Sequence, residues 1–166
     1  MGISGPNGAA AFIHQGVHSD RLFEASSIRR DDATASDQAT DQDRACRHCD
    51  PAKELNRKDR DSHPMIHYGV IASGNSVIKD GATRDEIMRR LEDKCICFEM
   101  EAAGMMNSFP CLVIRGSCDY ADAHKSDRWQ NYAAATASAF AKELLETIDG
   151  DDVQTAPTID EAITER

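Results

Sequence analysis

Three shortages narrow what this chain can do: it has no surplus of positive charge, no long apolar run and no dense set of metal ligands. Against 29 Asp and Glu stand 19 Lys and Arg, a formal net charge of −10, which argues against a general nucleic-acid surface because phosphate binding needs clustered cations. Free nucleosides stay admissible, since they carry no phosphate for an acidic surface to repel. No apolar run approaches the ~20 residues that span a bilayer, so no membrane partner is expected. The start, Met1-Gly-Ile-Ser-Gly-Pro6, lacks the basic region and apolar core of a secretory signal, and Pro6 stands where a myristoylation motif wants Ser or Thr. The cysteines do not form an extracellular disulfide pattern. Cys95, Cys97, Cys111 and Cys118 fall inside apolar runs, where a free thiol behaves as a small hydrophobe, and a reducing, cytoplasmic setting is expected. Cys46-Arg-His-Cys49 is the only metal-like spacing. It offers three donors, Cys46, His48 and Cys49, where a structural zinc site normally takes about four, so no metal is expected.

Large apolar side chains are also scarce over residues 24–64, which are rich in Asp, Arg, Ser, Thr, Gln and Ala and read as a polar insertion or disordered loop. Residues 1–19 read as an unstructured leader, and residues 20–28 could form one turn of helix. The foldable core is expected over 65–149, within a domain running from 20 to 149, with 150–166 as an acidic tail or linker.

Inside that core the pattern alternates. The apolar run Ile66 to Ala72, ended by Ser73-Gly74-Asn75, predicts a buried strand and a turn. Thr83 and Glu86 have capping-box spacing, and Ile87, Met88 and Leu91 supply a helical stripe. Cys95 to Phe98 predicts a second strand, Glu101 to Asn107 a small helix stopped by Phe109-Pro110, and Cys111 to Cys118 a third strand. Trp129, Tyr132, Ala133, Thr136, Phe140, Leu144 and Ile148 recur at spacings of three and four, which predicts one amphipathic helix over 127–148, closed by Gly150 with Asp151 and Asp152. Strands alternating with helices imply an α/β fold with a mostly parallel sheet, in which ligands sit outside the carboxyl ends of the strands. Those ends are Ser73-Gly74-Asn75, Glu99-Met100-Glu101 and Ser117-Cys118-Asp119. Adjacent strands lie about 5 Å apart, so the three ends could face one cavity.

Three ordered blocks, Ile66-His-Tyr-Gly-Val-Ile-Ala-Ser-Gly-Asn75, Phe98-Glu-Met-Glu-Ala-Ala-Gly104 and Val113-Ile-Arg-Gly-Ser-Cys-Asp-Tyr-Ala-Asp122, resemble the purine nucleoside phosphorylase and nucleosidase superfamily. The likeness is to the fungal phosphorylase-like domains joined to NTPase or repeat modules, and it runs from about Asp20 to Leu145. It implies a three-layer α/β sandwich of nucleoside phosphorylase type that cleaves the N-glycosidic bond of a purine nucleoside, with phosphate as co-substrate and no cofactor. By position, Glu101 would hold ribose hydroxyls and Met100 would pack on sugar and base, while Glu99 braces the site. Asp119 would be the general acid that protonates purine N7, for which its pKa must be raised, and Arg115 would contact phosphate or Glu. Ser73, Gly74 and Asn75 stand at the first strand's end, and Val77 and Ile78 wall the base pocket where the nucleosidase branch tends to place an aromatic. Asn75 replaces the Asp of other branches, and Cys118 replaces a common Ser.

The residues by themselves admit other roles: Glu101 as a helix-start acid, Asp119 as a cap on the turn Tyr120-Ala121-Asp122, and Arg115 as an ion-pair partner of Glu99 or Glu101. His67 and His124 could titrate near the pocket or serve structurally. The family builds its phosphate site from a first strand, a glycine-rich turn and basic residues upstream of the Asp20 position. Here Gly5, Gly8 and Gly16 follow no strand. The expectation is a domain truncated on its N-terminal side, with an open strand edge that a homo-oligomer or a completing chain would cover. A non-catalytic nucleoside-sensing or interaction module of a fungal signalling-type protein is the alternative.

Overall fold

The computed structural model of the chain describes residues 12–29, 49–57, 64–108 and 111–164. It is a mixed α/β fold. The ordered part centres on two parallel strands, β1 (Val70–Ser73) and β2 (Cys95–Glu99), joined by helix α1 (Gly81–Arg90). A short helix α2 (Ala102–Met106) leaves the end of β2, and the long helix α3 (Gln130–Thr147) follows a single 3-10 turn, Asp127–Trp129. Helices α4 (Gly150–Thr155) and α5 (Ile159–Thr164) complete the order.

The strand register decides where the site lies. Val70 pairs with Cys95, Ile71 with Cys97, Ala72 with Phe98 and Ser73 with Glu99, with an irregularity between Val70 and Ile71. Both carboxyl ends therefore finish level. Gly74 N–H extends the ladder by donating to the Glu99 carbonyl at 3.1 Å. Helix α1 begins at Asp80, whose carboxylate accepts from the Thr83 N–H and hydroxyl at 2.7 Å each. The cap expected at Thr83 thus falls three residues earlier, where Asp80 is extended and its carboxylate meets the Thr83 N–H of the first turn, which leaves Thr83 inside the helix. Glu86 instead pairs with Arg89 and Arg90. The helix ends where Glu92 and Asp93 turn left-handed, at φ 54° and 55°.

Residues 111–118, expected as a third strand, join no ladder among the described residues. The segment instead meets α3. Gly116 lies so close to it that a Cβ would sit 2.1 Å from the Ala133 carbonyl oxygen, and Ala133 is itself buried. Gly116→Ala is expected to destabilise the fold by about 1–3 kcal/mol, through backbone displacement rather than rotamer change. A lowered urea midpoint with an unchanged slope would show it.

Packing extends upstream of residue 65. Residues 12–19, read from sequence as leader, contain the 3-10 turn Val17–Ser19 and place His14 edge-on to Trp129 and Tyr132. Residues 20–28 form no helix. Phe23 bridges antiparallel to Glu54, with Glu24 N–H donating to Lys53 O at 2.9 Å and Leu55 N–H to Leu22 O at 2.8 Å. Phe23 is the largest fully buried side chain, and Cys49 is buried as well. The C-terminal end also departs from expectation. Gly150 opens α4 rather than closing α3, because Asp149 turns extended and its carboxylate caps the Asp151 N–H at 2.9 Å. No helix among the described residues is long and apolar enough to cross a membrane.

Candidate functional site

The level strand ends are locked together by side chains. Glu99 Oε2 accepts the N–H groups of Glu101 at 2.8 Å and Ala102 at 2.9 Å, and Ser73 Oγ accepts the Ala103 N–H at 3.0 Å. These bonds meet the free N–H groups at the start of α2, where the helix dipole also favours a carboxylate. Burial alone would raise the Glu99 carboxyl, but the Ser73 hydroxyl, the two N–H groups and the Arg115 charge together hold it below its ordinary value. Glu99 Oε2 is thus committed to the backbone. What it fixes is the direction of the next two side chains, Met100 and Glu101.

Glu101 and Met100 are both exposed. Arg115 Nη2 lies 3.0 Å from Glu101 Oε2, with the two side chains 44% and 62% exposed. An ion pair that open is worth about 0–1 kcal/mol, so sugar hydroxyls could replace the guanidinium at little cost.

Asp119 lies in a different environment, with a side chain only 14% exposed. Its Oδ1 accepts the Ala121 N–H at 2.9 Å, which is the turn-capping role open to it from sequence. Its Oδ2 meets the Lys125 ammonium and the Cys118 thiol, the latter at 3.2 Å. The turn is tight enough to put Ala121 in the left-handed region, at φ 52°. The expected raised pKa does not hold. Burial does push the carboxyl up, but the Lys125 hydrogen bond, the Ala121 N–H and the Cys118 thiol outweigh it and hold Asp119 below its ordinary value. Cys118 is pushed up to about 11, first by burial and then by the Asp119 charge, so it stays a neutral donor.

These groups share one wall. A single open cavity of about 1990 Å³ is lined by Glu99, Met100, Glu101, Arg115, Cys118 and Asp119, together with Val77 and Ile78. Ser73, Gly74 and Asn75 are not on it; Ser73 and Gly74 hold the strand ends together. Among the described residues two strands stand behind this cavity, which is larger than the ~300–1,000 Å³ of a typical small-molecule pocket. Val77 and Ile78 offer no ring for a base to stack on, but Tyr68, which sequence reasoning did not single out, is a strongly exposed aromatic on the same wall.

The loop carrying Asp119 is tied to the rest of the chain by groups that sequence alone did not pick out. The Tyr120 hydroxyl donates to Asp20 Oδ1 at 2.6 Å, Arg57 pairs with Asp20 Oδ2 at 3.1 Å and lies over the Tyr120 ring, and Arg84 donates to Tyr120 O at 2.9 Å. His124 takes the structural one of its two expected roles. It is buried, stacks on Phe23 with ring centroids 4.0 Å apart, and has Ser27 Oγ 3.4 Å from Nε2. Asp122 Oδ1 accepts the His124 N–H at 2.9 Å.

Burial lowers the His124 pKa, with Asp122 opposing and Arg29 and Arg21 adding to the drop. The folded chain therefore takes up this proton at lower pH than the unfolded chain. Stability is then full above the ordinary value of 6.5 and declines as pH falls below it toward the folded value. Urea melts at neutral and mildly acidic pH are expected to show that decline in the wild type and a flatter dependence in His124→Gln.

Among the described residues no group of three or more His, Cys, Asp and Glu could hold a metal ion. Cys46 and His48 lie outside the described residues; Cys49 is a free, buried thiol.

Over 92 residues, 55% of the chain, the sequence is 58% identical to a nucleotide-binding leucine-rich repeat (NLR)-like protein of Hyaloscypha variabilis, of which it spans 9%. Over 87 residues, 49% of the chain, it is 31% identical to proteins of Escherichia coli named ATP nucleosidase Cap17, of which it spans 17%. The chain thus corresponds to a small part of each of these relatives. No family model matches it, and no solved structure does. The likeness to Cap17 gives weak support for a nucleosidase-like domain.

Proposed function

We propose that this chain carries the sugar- and base-holding part of a domain that cleaves the N-glycosidic bond of a purine nucleoside, within a three-layer sandwich of nucleoside phosphorylase type. The observation that carries the reading is the shared cavity: an exposed carboxylate at Glu101, paired with Arg115, and a partly buried one at Asp119, paired with Lys125, both line it. Two carboxylates in such unlike settings suit unlike tasks. Glu101, accepting two ribose hydroxyls, uses remote binding energy to orient the bond that breaks. Asp119 serves the leaving base. The C1′–N9 bond breaks with its electron pair moving into the purine, the Asp119 proton passes to N7, and an oxygen of phosphate or of water adds to C1′, the proton that water sheds returning to the Asp119 carboxylate.

Phosphate as co-substrate rests on the family resemblance, and the Cap17 likeness keeps hydrolysis, and ATP as a substrate, alongside it. No cofactor is needed. The open edges of the β1–β2 sheet suit completion by another chain or by a second copy.

One observation favours a second reading. A carboxylate held by Lys125 donates no proton, so the same pocket could bind a nucleoside without cutting it, as a sensing module would. The NLR-like relative accords with that role. Chromatography after incubation with inosine, guanosine, adenosine and ATP, with and without phosphate, separates the two. Release of free base only with phosphate identifies phosphorolysis, and release without it identifies hydrolysis. Nucleoside-dependent thermal stabilisation with no product identifies the sensing module and overturns the catalytic reading.

A further inference from the structure

Resting on the catalytic reading above, we infer that Lys125 is a positioning residue that locks Asp119 as a carboxylate, and that its ammonium has to leave before Asp119 can serve a base. Among the described residues, Lys125 is the one cation in contact with an Asp119 oxygen. Both side chains line the cavity, and the lysine is 26% exposed, so its ammonium has open space to swing into.

Its backbone has no such freedom. Lys125 N–H donates to Asp122 O at 3.2 Å, and Lys125 O accepts from Arg29 Nη1 at 3.0 Å. The moving part is therefore the flexible four-carbon stem, which suits a lysine and would not suit a rigid guanidinium fork. The ion pair is closed by local geometry: the left-handed Ala121 and the Asp122 turn bring Lys125 back onto the carboxylate.

The other charged groups around this loop are engaged elsewhere. Asp20 and Arg57 meet at Tyr120, Arg84 of α1 binds Tyr120 O, Arg29 binds Lys125 O, and Asp122 lies against His124. Asp127, before α3, acts on Lys125 by charge, and Cys118 contacts Asp119 as a neutral thiol. Burial would lower Lys125, yet the bond to Asp119 and its charge raise it above the ordinary lysine value, the counterpart of the drop at Asp119. Removing the amine leaves burial as the dominant influence on Asp119, which favours the protonated acid.

The test compares wild type, Lys125→Met and Lys125→Arg over a pH series, reading base release and, without substrate, the ¹³C carboxyl resonance of Asp119, assigned by its loss in Asp119→Asn. Lys125→Met is expected to move the limb where rate falls with rising pH upward by about one unit, an approximately tenfold gain in the protonated acid on the alkaline side. Its Asp119 resonance should titrate higher than in wild type. Lys125→Arg, which keeps the charge, should retain the wild-type resonance, while its stiffer fork releases base more slowly.

An unchanged profile in Lys125→Met, whatever its absolute rate, overturns the lock. So does a wild-type Asp119 that titrates at or above its ordinary value of 3.8, a reading that needs no variant to fold. If no form releases base while the resonance shifts as expected, the catalytic reading fails and the ion-pair lock stands.

Discussion

Asp119→Asn is expected to lower release of free base by about 10²- to 10⁴-fold, the usual contribution of a positioned general acid, while substrate affinity changes little. The substitution is well matched to the question. Asparagine keeps an oxygen to accept the Ala121 N–H, the 2.9 Å bond that shapes the turn, and it keeps the side-chain volume in a partly buried position. What it removes is the transferable proton and the charge that draws in Lys125. Steady-state rates with a purine nucleoside, alongside a thermal melt, separate loss of chemistry from loss of fold. Activity retained within a fewfold of wild type would place the acid elsewhere on the cavity wall. A matching fall for Glu101→Gln, appearing in KM as well as kcat, would mark the sugar-binding side of the same site.

The largest effect on stability is expected from Phe23→Ala, a loss of about 3–5 kcal/mol. Phe23 is 1% exposed, and its ring lies nearly parallel to that of His124, 13° apart in plane. Truncation deletes the stacking partner and leaves a void beneath a loop that has little other apolar support. Such a loss is a large part of the ~5–15 kcal/mol by which a domain is stable. Urea unfolding measures it. Phe23→Leu, which refills much of the space without a ring, should lose distinctly less; equal loss in both would mean that the stacking geometry, and not volume, holds the two segments.

The elements with a local signal were legible in the sequence. Helix α3 emerged within a few residues of its bounds because Trp129 to Ile148 repeats an apolar residue every third or fourth position, a pattern that needs no partner to be seen. Strand β2 and the order of the carboxyl ends were equally readable, but β1 begins at Val70 rather than Ile66 and is half-exposed rather than buried, because an apolar run alone does not say where pairing starts or which face is covered. Residues 111–118 looked like a strand for the same compositional reason, but a strand is defined by a ladder, and composition does not say whether an apolar run will pair or will pack on a helix. Gly116 against Ala133 settles that, and nothing near Gly116 in sequence reveals it.

The site was legible in its carboxylates and not in their partners. Lys125 lies a few residues past Asp119, close enough that charge complementarity across a turn could have drawn attention to it. Phe23 beneath His124, and Asp20 beneath Tyr120, join distant stretches that share no local pattern. One local signal was overlooked: Thr158 and Glu161 have capping-box spacing, and Glu161 Oε2 accepts the Thr158 N–H at 2.7 Å at the start of α5.

The hydrogen bond from Tyr120 to Asp20 closes a chain separation of 100 residues. Closing a loop of that length costs about 4 kcal/mol in the length-dependent term of its entropy alone, and the reward arrives only when both ends are already in place. Contacts of this kind form late in folding and are among the first to open. The candidate acid thus sits in a loop whose turn is shaped locally, by the Ala121 N–H and Lys125, but whose anchors to the rest of the chain are distant in sequence. During synthesis, α1 and the β1–β2 pair can assemble as soon as they emerge, but the wall carrying Asp119 takes its shape only once the following residues return to meet the beginning of the chain.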